Sequence, residues 1–163
     1  MTRNDALREL FAHLIEERRL LESLVEVLEH EARALCAMDL DALLGLATRK
    51  QTLVDSQVWV TAQRTEKLAA FGDDAPTTLS ALSATLDEEP AAELDALREA
   101  MRRAAARAAE VNVQNELFAT SGLQLVSGVL RIVSRAHAGN SSTYAADGCY
   151  RVGGTYGQTR RRL

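Results

Sequence analysis

The chain has 163 residues, of which 47% are hydrophobic, 26% charged and 4% aromatic, with a formal net charge of -4. This is about one domain's length, enough to bury a core, and few aromatics beside abundant alanine and leucine favour packed helices over a β-sandwich. From Gly139 onward Arg151, Arg160, Arg161 and Arg162 face only Asp147, so that end carries +3 and the rest -7; an acidic body excludes nucleic acid as the main partner, because nucleic-acid binding rests on clustered cations.

Leu7, Leu14, Leu21, Leu28 and Leu35 recur every seven residues, with Leu10, Phe11, Leu24, Val25 and Ala32 filling the same face. This heptad seam predicts one helix over residues 4 to 37, interrupted chemically by Glu17 and Glu31. A tight turn near Met38 follows, then Asp39 as N-cap of a second helix that carries Leu40, Leu43, Leu44 and Ala47 and stops at Phe71-Gly72. So short a link folds the two helices antiparallel. "GDDAPTT" is a break, "LSALSATL" makes two helical turns, and Pro90 suits the first turn of a last helix running to about Ala136. At 1.5 Å per residue that helix is about 70 Å long against about 50 Å for the others, so it overhangs them. The predicted fold is all-α: an elongated antiparallel helical bundle or coiled coil with three long helices, a short connector helix and a flexible C-terminal tail. Residues 1-138 form the helical domain and 139-163 the tail.

Catalytic signatures are missing from the pattern. There is no Glu-x-x-His pair of the kind that di-iron bundles use, no phosphate-binding glycine loop and no nucleophile elbow. His13, His30 and His137 are expected as solvated surface residues, and Arg98, Arg102, Arg103 and Arg107 as a solvated cationic face. Trp59 is expected to pack against a neighbouring helix edge. Cys36 and Cys149 form no CxxC, which points to neither zinc nor a disulfide and fits a reducing cytosol. "MTRNDALREL" lacks the apolar core of a signal peptide, and "LQLVSGVLRIV" is too short to span a bilayer and contains Arg131. The expectation is a cytoplasmic protein without membrane insertion, enzymatic activity, cofactor or metal.

The segment "ELFATSGLQLVSGVLRIVSRA", residues 116 to 136, is different. With Phe118 at zero and 100° per residue, Leu125, Val129 and Ile132 lie within about 40°, Val126 and Val133 near 60 to 80°, and Leu123 and Leu130 near 120 to 140°. The apolar arc covers nearly half the circumference, wider than one core-facing stripe requires, so a partner helix is expected on it. Homodimerisation through the same edge is the plainer alternative. Asn112 and Asn115, near this seam, are expected to set register or leave a wet gap.

The helix order, the Asn112 and Asn115 pair in "NVQNELF", and Tyr144 with Asp147-Gly148 in "TYAADG" together resemble the FlgN-type flagellar export chaperones. The resemblance spans essentially the whole chain. It implies a cytoplasmic type III export chaperone that binds the C-terminal helix of hook-filament junction (hook-associated) proteins and delivers them to the cytoplasmic domain of the export gate. Substrate binding would fall to Leu123, Val126, Leu130 and Val133, and gate docking to Tyr144, Asp147 and Gly148. The chain departs from the family pattern at Ala145 and Ala146, where a glycine often follows the tyrosine, and in "CYRVGGTYGQTRRRL" after Gly148, where Tyr156-Gly157 is a rival docking element. A generic coiled-coil adaptor or dimerisation protein is the alternative function. All three tyrosines lie in this tail, where tyrosine offers much contact area for little ordering cost.

Overall fold

The computed structural model describes residues 2-71 and 78-139. Four helices make up the described chain: α1 (Arg3–Ala37), α2 (Leu40–Ala69), α3 (Leu79–Ser83) and α4 (Glu88–Gly139). The chain divides into two compact units, Met1–Phe118 and Ala119–Leu163. The protein is all-α, as its composition predicts.

Local chemistry fixes the helix ends. Thr2 and Asp5 form a capping box at the start of α1, with the Thr2 hydroxyl accepting from the Asp5 amide at 3.2 Å and the Thr2 amide donating to the Asp5 carboxylate at 3.0 Å. Met38 closes α1 in the left-handed region at φ 54°. Its amide reaches the Leu35 carbonyl and the Asp39 amide reaches that of Ala34, a Schellman ending with methionine where glycine is usual. Asp39 then caps α2 by accepting from the Ala42 amide at 3.0 Å, so two residues suffice to reverse the chain. Thr78 caps α3 in the same way. Pro90 falls in the first turn of α4, where its missing amide has no intrahelical partner to lose.

In the first unit α1 and α2 lie antiparallel, with Glu9 facing Lys67, Glu17 facing Arg64 and Glu31 facing Lys50. The beginning of α4 runs parallel to α1. Leu94, Leu97 and Met101 join Leu10, Leu14, Leu68 and Leu82 in one buried cluster, and Ala108 and Val111 join Leu28 in a second. The α1 seam is shifted from the heptad reading. Leu14 and Leu28 are buried, whereas Leu7, Leu21 and Leu35 are only half-buried and Leu10, Glu17 and Val27 take the interior beside them.

Three sequence expectations are revised here. Trp59 is 63% exposed because the neighbouring Val60 already points at α1, and one residue further along a helix turns a side chain by about 100°. His13 is not solvated: it is half-buried and donates from Nε2 to the Val60 carbonyl at 2.8 Å. Arg107 likewise does more than face water, bridging Glu29 of α1 at 3.0 Å and Glu110 at 3.1 Å. Those bonds raise its pKa further above the ordinary value.

Candidate functional site

Along α4 the buried stripe is Leu94, Leu97, Met101, Ala108, Val111 and Asn115, the spacing of three and four that one helix presents to a neighbour. Asn115, only 5% exposed, ends it. Its side-chain amide donates to the Leu28 carbonyl and to the Glu31 carboxylate, both at 2.9 Å. The other Glu31 oxygen accepts from Lys50 Nζ at 2.6 Å. One carboxylate therefore joins α1 to both α2 and α4, and the expected register role of the asparagine pair belongs to Asn115. Asn112 is exposed and borders a cleft of about 330 Å³ between α2 and α4, with Leu24, Leu28, Ala47 and Val54 among its lining.

A second polar layer lies deeper. Glu17, 2% exposed, accepts from Arg64 at 2.6 Å and from Gln57 and Thr61 at 3.3 Å each. Its other oxygen, Oε2, is buried without a protein partner. Sequence reasoning saw Glu17 only as a fault in the seam. Its partners on α2 recur at intervals of three and four residues (Gln57, Thr61, Arg64), and that spacing was the available signal.

In the second unit no residue of α4 through His137 is buried. Leu123, Leu125, Val126, Val129, Leu130, Ile132 and Val133 are 47 to 70% exposed, so the four residues expected to bind a partner lie together on one open apolar face. Phe118, the last residue of the first unit and the origin of that apolar arc, is half-exposed as well. Space around Gly122 and Gly128 is open, with nothing within 4 Å of where a Cβ would stand. The apolar stretch is longer than "LQLVSGVLRIV" suggests: an 18-residue window of α4 reaches a mean hydropathy of 1.4 with none of it buried, which meets the length and composition of a membrane span. Tyr144, Asp147, Gly148, Tyr156 and Cys149 lie outside the described residues. Among the described residues no three His, Cys, Asp or Glu side chains gather as a metal site.

A helical scaffold held together by leucine clusters and buried polar ties, presenting an uncovered apolar helix face, defines a protein-binding helical module. The FlgN protein family model matches residues 1–151, and the chain belongs to that family. It is a flagellar export chaperone. No curated protein and no solved structure matches the chain.

Proposed function

We propose that this chaperone works in the cytoplasm, holding the C-terminal helices of hook-filament junction proteins on the α4 face of Leu123, Val126, Leu130 and Val133 and delivering them to the export gate. The exposed apolar face carries the reading. An amphipathic helix that covers it buries its own apolar side and that of α4 together, the helix-against-groove mode of peptide recognition. Family membership supports the same substrates. Tyr144, Asp147 and Gly148 are the gate-docking element, with Tyr156 second to Tyr144.

The test of substrate binding is Leu123→Asp with Leu130→Asp. A carboxylate covered by a partner helix loses hydration without gaining a counter-charge, so capture of a junction protein's C-terminal segment is lost while the helical circular dichroism signal stays. Unchanged binding places the groove elsewhere. For docking, Tyr144→Ala keeps substrate affinity and weakens binding to the gate's cytoplasmic domain, more than Tyr156→Ala does. Loss of substrate instead would refute that division of roles.

A further inference from the structure

We infer that the α4 face between Ala119 and His137 also binds the surface of an anionic lipid bilayer, lying in the headgroup plane with its leucines and valines inserted and Arg131 and Arg135 on the water-facing side, where their charge attracts the anionic headgroups. The inference shares a face with the substrate reading and does not depend on it.

Charge carries the argument. Arg131 and Arg135 are the only Asp, Glu, Lys or Arg residues from Leu117 through Ala146. Elsewhere the helices are laced with acid-base pairs, and none of the ion pairs among the described residues reaches past Glu110. An overall acidic protein thus carries only positive charge along its most apolar helical segment, on the side opposite the apolar face. Beyond it the sequence adds four arginines against one aspartate, so the same sign continues toward the C-terminus.

Geometry decides between lying on a bilayer and crossing it. The window's mean hydropathy of 1.4 would by itself permit a span. At 100° per residue, however, Thr120, Ser121, Gln124, Ser127, Arg131 and Arg135 form a polar arc of about 120°, shared only with Gly128 and opposite the apolar half. A spanning orientation would put that arc into hydrocarbon along its whole length, whereas an in-plane orientation keeps it in water. Residues 119 to 137 extend about 28 Å, long enough for Leu123, Val126, Leu130 and Val133 to insert together. Anionic lipid complements the two arginines, and zwitterionic lipid offers them no net attraction.

The test is co-sedimentation of the full chain with vesicles of phosphatidylglycerol and phosphatidylethanolamine, compared with phosphatidylcholine alone. Binding is expected to the first only, to weaken in about 0.5 M salt, and to fall about tenfold or more in Arg131→Glu with Arg135→Glu at unchanged helicity. The leucine double variant removes it. Equal binding to both vesicle types, binding to neither, or indifference to the arginine variant overturns the inference. A dimer in solution that the leucine variant dissociates gives the face to a second copy and overturns it too. Adding a junction protein's C-terminal peptide separates the two readings. Release from vesicles supports both, a peptide that binds without displacing lipid overturns the lipid face, and vesicle binding without any peptide binding leaves the lipid face standing and removes the substrate reading.

Discussion

At the scale of single residues, two polar ties break a leucine seam and set its register. Glu17 and Arg64 meet inside the α1-α2 interface, and desolvating such a pair consumes most of what their attraction returns. Arg64→Ala, which leaves Glu17 buried without its cation, should therefore cost about 3 kcal/mol in denaturant unfolding. Replacing both by leucine should be neutral or stabilising, while the α1-α2 register becomes less unique. Asn115→Leu strands a Glu31 oxygen and should cost about 1 to 3 kcal/mol by the same measurement. At the N-terminus, hydrogen bonds from Thr2 hold the Asp5 carboxyl below its ordinary value of 3.8. Its stabilisation of the first turn is complete above that value and is lost as acidification protonates it, which amide exchange near residues 3 to 6 would show. Sequence periodicity found Glu17 and Asn115 as anomalies but not their partners, because a heptad pattern records which positions face inward and says nothing about what stands opposite.

At the scale of elements, α4 is one helix with two regimes. Up to Asn115 it alternates a buried stripe with ion-paired outer residues; after Asn115 it keeps the apolar content and loses the partners. The three long helices, the turn at Met38 and Asp39, and the short connector helix were legible from caps, prolines and spacing, since these act within a few residues. Trp59 was misjudged, and Leu21 packs against the core only from its edge, because burial depends on how far each interface rotates, which spacing of three or four does not fix. The candidate face was legible for the opposite reason: an arc wider than any single neighbour needs is a property of α4 alone. Gly122→Ala and Gly128→Ala meet no neighbour and should each stabilise the helix by about 1 kcal/mol, seen as a higher melting temperature of the α4 signal. If either also weakens capture of a junction protein, the partner helix approaches the α4 backbone closely there.

At the scale of the whole molecule, an acidic scaffold precedes a segment whose only charges are positive, in a chain that belongs to a family of export chaperones. That division suits a protein whose first part supplies stability and whose second part meets partners, because an apolar face needed for binding cannot also be spent on a core. The proposed docking of Tyr144 on the export gate rests on family resemblance and on where tyrosines lie in the sequence, since Tyr144 lies outside the described residues. Hydrogen-deuterium exchange of the full chain, with and without the C-terminal segment of a junction protein, tests the substrate face most directly. Slowed exchange is expected across residues 119 to 137, with α2 little changed. Protection confined to α2 and the cleft beside Val54 and Asn112, with 119 to 137 unaltered, would contradict it.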